Sequence, residues 1–314
     1  MRCRFCPQPD APYKIGHMSF ALIESILERT KVIEPTPTVV MNLNGESTLH
    51  PRILEIVALV NSLKLRYYFT SNGLKWTREL TERVCNKDSS AYQILFSHNG
   101  LYDSTAEVAC PGTNPSLVVR NMLDVIDYKR ENNASQDVGV KIIDRGQDFQ
   151  EIEEFIGTWL HHGMDYVCHG KVLITRNKQT MRKYPCRYSD DMFMLIRSNG
   201  KITPCGWNND AITFYDWGYV EPNDIPLMEL YNAPIINEWR NDQRRGIFHG
   251  PCLECGFAFT GYGWEGVLTP RNQRVIDLCE GRPIYYHEDY FNRFFSFKKR
   301  IRKPSHYYVG GHLE

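Results

Sequence analysis

Along the first two-thirds of the chain, short runs of β-branched and aromatic residues alternate with longer segments whose apolar residues recur every three or four positions. Phe20, Ile23 and Leu27 share one face of a helix that starts near Ser19. The run from Thr38 to Leu43 reads as a buried strand, closed by the turn Asn44-Gly45-Glu46-Ser47. A helix follows from about Pro51 through Ile53, Ile56, Val57 and Val60, with proline suited to a first turn. RYYFTSNG is a strand ending in a turn, and a helix covers Thr77 to Val84. QILFSHNG repeats the strand-and-turn pattern, and a longer helix runs from about Pro115 to Asn132. VGVKIID, DFQEIEEFIGTWLHH and MDYVCHGKVLI add a strand, a helix and a further strand.

Strands separated by helices of this length are βα units on a parallel sheet, which places the chain in the α/β class. Loops at the carboxyl ends of parallel strands are where such folds place their chemistry. From about residue 183 the helical periodicity fades and turn residues, aromatics and cysteines take over. CRYSDDMFMLIRSNGKITPCGWNND reads as a hairpin turning at Ser198-Asn199-Gly200, followed by a helical stretch from Leu227 to Trp239. The expected domains are therefore 1–182, 183–283 and an aromatic, then basic, tail over 284–314.

Charge changes this picture little, because 37 basic residues balance 37 acidic ones among 314. No global charge steers the chain toward nucleic acid or an anionic membrane. No apolar run reaches the ~18–20 residues that cross a bilayer. The front of the chain has no signal-peptide h-region, so the expected location is the cytoplasm. Ten cysteines in a reducing compartment point to metal ligation rather than to disulfides.

The cysteine spacings support that. Cys186, Gly200, Cys205, Cys252 and Cys255 form the pattern C-x13-G-x4-C followed by C-x2-C. Glycine tolerates the positive φ of a hairpin turn, which folds Cys205 back toward Cys186. The C-x2-C loop brings two more thiols from a second segment. Four thiolates hold either a [4Fe–4S] cluster or a zinc ion, and these four residues alone leave both open. A second C-x2-C, Cys3 and Cys6, opens the chain with Phe5 between its cysteines.

This arrangement resembles the radical S-adenosylmethionine (radical SAM) superfamily, whose members carry C-x3-C-x2-C in the loop after the first barrel strand. Cys3 and Cys6 match the second and third cysteines, and Phe5 matches the usual aromatic. The first cysteine would fall two residues upstream of Met1 and is absent from the chain. The resemblance implies a partial (βα)6 TIM-type barrel lacking its first strand, followed by a small cysteine-rich domain of the twitch type, the shorter relative of SPASM. Cys279 alone remains beyond Cys255, so one auxiliary [4Fe–4S] cluster is expected rather than two.

It also implies roles for the turns. Asn44-Gly45-Glu46 looks like the glycine–glutamate motif, in which Glu46 accepts from the methionyl ammonium of S-adenosylmethionine and Gly45 lets the backbone come close. Ser71 and Asn72 look like ribose or carboxylate contacts. Ser97 and Asn99 fall in the turn after the next strand, where aspartate is commoner than asparagine at the second position. The implied cofactors are a [4Fe–4S] cluster at Cys3 and Cys6, the auxiliary [4Fe–4S] cluster and S-adenosylmethionine. The implied partners are a peptide or small-molecule substrate and a reducing donor such as a flavodoxin or ferredoxin. The implied reaction is hydrogen abstraction by a 5′-deoxyadenosyl radical, and two thiolates hold the required cluster poorly, so the chain as it stands is incomplete for catalysis.

Other features have plainer readings beside functional ones. Asp144 and Cys168 end late strands as candidate base or hydrogen donor, or as ordinary turn and core residues. His161 and His162 close a helix, where histidine complements the dipole. Cys85 and Cys110 have no partner in sequence and read as buried thiols. Lys298 to Lys303 lie beside aromatics and read as a solvated end or as a contact for an anionic surface. The different-class alternative is a non-catalytic zinc- or cluster-binding scaffold.

Overall fold

The computed structural model describes residues 3–4, 6, 16–42, 45–144, 148–171, 185–189, 193–206, 209–221, 225–255 and 284–286. The first element is helix α1 (Phe20–Lys31), whose N-cap Ser19 accepts from Leu22 N–H at 3.2 Å. Then β1 (Val39–Val40), α2 (Ile53–Ser62), β2 (Tyr67–Ser71), α3 (Arg78–Val84) and β3 (Ala91–Ser97) follow. After them come α4 (Asp103–Ala109), α5 (Pro115–Glu131), β4 (Asp137–Asp144), α6 (Phe149–His161) and β5 (Tyr166–Lys171). The remaining elements are β6 (Leu195–Ile196), β7 (Ile202–Thr203), α7 (Asn209–Phe214), α8 (Leu227–Tyr231), α9 (Pro234–Arg244) and β8 (Ile284–Tyr286). Among the described residues, no helix is long and apolar enough to cross a membrane.

Contacts divide these residues into two units, one drawn from Met1–Cys6, Thr38–Val172 and Glu265–Glu314, the other from Pro7–Pro37 and Leu173–Trp264. The first unit is a six-stranded sheet in the order β1-β2-β3-β4-β5-β8, with every neighbouring pair parallel. This is the α/β, partial TIM-type architecture expected from the alternating pattern. Residues 284–286, read from the sequence as the start of a tail, are a strand beside β5. The rest of that stretch, with its basic cluster, lies outside the described residues, as does Cys279.

The first strand is shorter than the run Thr38–Leu43 suggested. Val39 N–H and Met41 N–H donate to Arg66 and Tyr68 carbonyls at 2.8 and 3.1 Å. Thr70 N–H then donates to the Asn42 side chain at 2.9 Å, so a side-chain oxygen takes over from the backbone ladder. Helix α4 was not expected between the third strand and the long helix. It is only seven residues long, and Pro111 and Gly112 separate it from α5, whose N-cap Asn114 accepts from Leu117 N–H at 3.0 Å.

The two faces of the sheet differ. On one, Phe69 and Phe96 meet the Trp76 ring edge-on at 5.4 and 5.2 Å, and His98 stacks on Phe155 of α6 at 6.0 Å. That face is covered by the helices, and each large side chain buried there contributes about 1.5–3 kcal/mol. On the other, Tyr68, Leu95, Tyr166 and Cys168 form a buried cluster with Val40 and Tyr92 against it. Gly139 makes room there, since a Cβ on it would lie 2.3 Å from the Tyr166 ring. The Tyr166 hydroxyl pairs with the buried Gln93 amide.

In the second unit, β6 and β7 form the expected hairpin, with Gly200 in its turn at φ +83°. The stretch Leu227–Trp239 is two helices rather than one, because Pro234 starts α9 and has no N–H to continue α8. Leu22 of α1 packs with Ile202, Val220, Leu227 and Ile236. Arg29 donates to the carbonyls of Val220, at 2.9 Å, and Ile225. Helix α1 thus makes its apolar contacts in this unit, not with the strands that follow it in sequence.

Candidate cofactor site

Turns at the carboxyl ends of β1, β2 and β3 are tied to one another by side chains. Gly45 is exposed at φ +93°, a backbone that L side chains rarely adopt, and a Cβ built on it meets nothing within 4 Å. The chain there is bent and the space beside it is open. Next to it, Glu46 is half-buried and spans two turns. Its Oε1 accepts from Thr48 N–H at 3.2 Å, Thr48 Oγ1 at 2.8 Å and Ser71 Oγ at 3.0 Å. Its Oε2 accepts from Asn72 N–H at 2.6 Å. The carboxylate therefore caps the short 3-10 turn Ser47–Leu49 and fastens it to the end of β2.

The Ser71 hydroxyl is spent on protein contacts, since it also accepts from Gly73 N–H at 3.0 Å. Asn72 folds as a turn, its Oδ1 accepting from Leu74 N–H at 2.9 Å. Ser71 is buried and Asn72 half-buried, so Asn72 is the more accessible of the two expected contacts.

After β3, Asn99 is buried and uses both ends of its amide. Its Oδ1 accepts from Ile143 N–H at 3.0 Å, and its Nδ2 donates to Ser97 Oγ at 3.4 Å and Cys110 Sγ at 3.6 Å. An aspartate could accept from Ile143 but could not donate to the other two. That is a physical reason for asparagine here, where the resemblance leads one to expect aspartate.

The N-terminal cysteines meet this network. Cys6 N–H donates to the Cys3 carbonyl at 3.0 Å, closing a turn, and Arg4 N–H donates to the Ala109 carbonyl at 3.1 Å at the end of α4. The Cys110 thiol then donates to Cys3 Sγ at 3.2 Å. Cys110 read from the sequence as a buried thiol without a partner; it is buried, and its partner is Cys3. The hydrogen bond with Cys110, then burial, push the Cys3 thiol well above the usual range, while Lys141 opposes the shift. Lys141 itself is half-buried, and desolvation pushes its ammonium down. Cys168 is fully buried on the same sheet face as Tyr68, Leu95 and Tyr166. Cys85 is buried, and burial pushes its thiol up to about 12. Phe5 and the side chain of Asp144 lie outside the described residues.

Sequence reasoning missed Cys110 and Lys141 as members of this site. The lysine had a signal, as a charged residue in an otherwise apolar strand. Cys110 had none, because its contact with Cys3 joins distant parts of the chain.

The second cysteine set sits on three segments of the second unit. Cys186 N–H donates to Gln243 of α9 at 3.1 Å. Cys205 N–H donates to Thr203 Oγ1 at 3.4 Å, at the end of the hairpin. Cys252 Sγ accepts from the Tyr215 hydroxyl at 3.3 Å, and Cys255 follows it half-buried. Among the described residues, no three Cys, His, Asp or Glu side chains converge closely enough to hold a metal ion. Their chemistry suits soft metals, and the one close thiol pair is Cys3 with Cys110.

No protein-family model matches the chain, and no curated protein matches it. Solved structures do. SuiB of Streptococcus suis, bound to the precursor peptide SuiA, superposes with a TM-score of 0.58 at 15% identity over 82% of this chain and 67% of SuiB. Native anSMEcpe with bound AdoMet gives 0.56 at 12% identity over 90% of this chain and 94% of anSMEcpe. BtrN in complex with AdoMet and 2-DOIA gives 0.50 at 13% identity, over 78% of this chain and 82% of BtrN. All three are radical SAM enzymes.

The chain has the radical SAM fold.

At these identities the likeness is one of fold. The chain spans 64% of SuiB bound to S-adenosylmethionine, somewhat under two thirds of it. Within the radical SAM fold of this chain, the linked turns after β1, β2 and β3 and the Cys3–Cys6 turn stand where the resemblance in sequence had put them.

Proposed function

We propose that the chain is a radical S-adenosylmethionine enzyme acting on a peptide or a small metabolite. The observation that carries this reading is the hydrogen-bonded path Asn99–Cys110–Cys3. It joins the N-terminal cysteine turn to the same strand ends that hold Glu46, Ser71 and Asn72. On this reading Cys3 and Cys6 give up their protons and hold an iron–sulfur cluster, as thiols must to bind a metal. With S-adenosylmethionine, that cluster supplies a 5′-deoxyadenosyl radical for hydrogen abstraction.

The residues prepare the site. Glu46 keeps the two turns together and offers the free side of Oε2 to an ammonium, Gly45 leaves the space open, and Asn72 presents its amide. A peptide substrate is supported by the likeness to SuiB, a structure bound to its precursor peptide. Cys186, Cys205, Cys252 and Cys255 are proposed as ligands of one auxiliary [4Fe–4S] cluster, with no reaction step assigned to them. A flavodoxin or ferredoxin is the proposed electron source and the cytoplasm the proposed location.

The test is iron and acid-labile sulfide per chain after anaerobic reconstitution, with EPR of the reduced protein. The expected result is a cluster signal that changes on adding S-adenosylmethionine and is lost in Cys3→Ala. Zinc in place of iron, or a signal indifferent to S-adenosylmethionine, would overturn the reading.

A further inference from the structure

Strand β4 carries a lysine among apolar residues, Val138, Val140, Ile142 and Ile143. In register, Lys141 lies between Ser97 of β3 and Cys168 of β5. Its face is fixed by the two-residue period of a strand. Gly139, two positions earlier, meets the Tyr166 ring, and Tyr166 and Cys168 belong to the cluster on the sheet face away from the helices. Val138, Val140 and Ile142 alternate to the other side and are fully buried. Lys141 therefore stands in the row Ser97–Lys141–Cys168, at the end of the sheet where the cofactor turns gather.

Its side chain makes no hydrogen bond or ion pair with any described residue. The carboxylates of this unit have other work. Glu46 holds Thr48, Ser71 and Asn72, and Glu151 accepts from Leu101 N–H at 2.9 Å and Thr105 Oγ1 at 2.5 Å. Asp165, at the opposite end of the strands, pairs with Lys129 and accepts from Val138 N–H at 2.7 Å. The ionisable groups felt by Lys141 are the thiols of Cys168 and Cys3. A half-buried ammonium without a carboxylate is costly unless an anion fills the space in front of it.

We propose that Lys141 is the anion anchor of this site and takes a carboxylate. This deepens the function proposed above, since it gives the ligand of the barrel a carboxylate group. The carboxylate belongs either to the methionyl end of S-adenosylmethionine or to the substrate.

Trifluoroacetate is a suitable probe, as a permanent carboxylate with its own 19F signal. Binding is titrated by 19F NMR on the full reconstituted chain, on Lys141→Met and on Lys141→Arg. The expected result is binding to the parent that weakens about tenfold or more in Lys141→Met, the scale of one lost charge-assisted hydrogen bond, and is largely kept in Lys141→Arg. The thermal midpoint should rise with trifluoroacetate in the parent and stay fixed in Lys141→Met, which reads the same site by linkage and also reports folding. Displacement of trifluoroacetate by S-adenosylmethionine assigns the anchor to the cofactor carboxylate. Retention in its presence assigns it to the substrate. No binding to the parent, or equal binding to Lys141→Met, overturns the proposal. A chain that binds trifluoroacetate through Lys141 but takes up no iron keeps this inference and loses the radical reading.

Discussion

Glu46 is the side chain on which the site depends most heavily, and its contribution can be worked from its partners. It accepts from three donors on Oε1 and from Asn72 N–H, at 2.6 Å, on Oε2. Glu46→Gln keeps one accepting oxygen and turns the other into a donor. The amide oxygen will settle on the side with three donors, leaving an NH2 facing the Asn72 N–H. One charge-assisted bond is lost and two donors are pressed together. Bonds to charged groups contribute about 1.5–3 kcal/mol, and partial exposure favours the low end, so the expected loss is about 2 kcal/mol. Ser71→Ala removes one of the donors to Oε1 and leaves Gly73 N–H without its acceptor, for a loss of about 1–2 kcal/mol. Because the two side chains share a bond, the double variant should fall short of the sum by about 1 kcal/mol. Urea denaturation of the parent, the two single variants and the double variant at pH 7 measures this. A neutral Glu46→Gln, or losses that add to within ~0.3 kcal/mol, would refute the picture of Glu46 as the clasp between β1 and β2.

Two further expectations concern titration. Burial lowers His98 from 6.5 to about 4, so the unfolded chain binds more protons between those values; its contribution is complete above the upper one and is lost as pH falls through the lower. Denaturant unfolding should therefore show the parent losing about 2 kcal/mol more between pH 7 and pH 5 than His98→Phe does, and equal losses would contradict the buried, neutral imidazole. Removing the thiol that pushes Cys3 up, in Cys110→Ala, should make Cys3 of the metal-free chain react faster with iodoacetamide at pH 8, as followed by peptide mass. An unchanged rate would mean that the two sulfurs are not in contact.

Local chemistry made much of the fold legible. Ser19, Thr77 and Asn114 mark helix starts because their side-chain oxygens accept from the first-turn N–H groups, and each does so in the structure. The apolar runs of β2 to β5 are strands because they are buried on both faces. The exceptions have long-range causes. The strand at Thr38–Leu43 stops early because Asn42 lends its side chain to Thr70. Helix α4 and the role of Cys110 depend on the N-terminal turn docking at Ala109, which no local pattern announces. In the site, the motif around Glu46 was legible as chemistry, but its partners were not. Thr48, Ser71 and Asn72 converge on it only after β1 and β2 pair.

Strand β8 has a consequence for how the molecule assembles. It pairs with β5 through three residues, Ile284, Tyr285 and Tyr286, although the chain from Val172 to Pro283 intervenes. The entropy cost of bringing chain ends together grows with the length of the loop, and contacts of long sequence separation slow folding. The cysteine-bearing segment is thus an insertion between two neighbouring strands. The five strands from β1 to β5 can associate through contacts near in sequence, whereas this last edge waits for the whole insertion to return. That order makes the β5–β8 seam the last part of the sheet to form and the first to exchange its amide hydrogens.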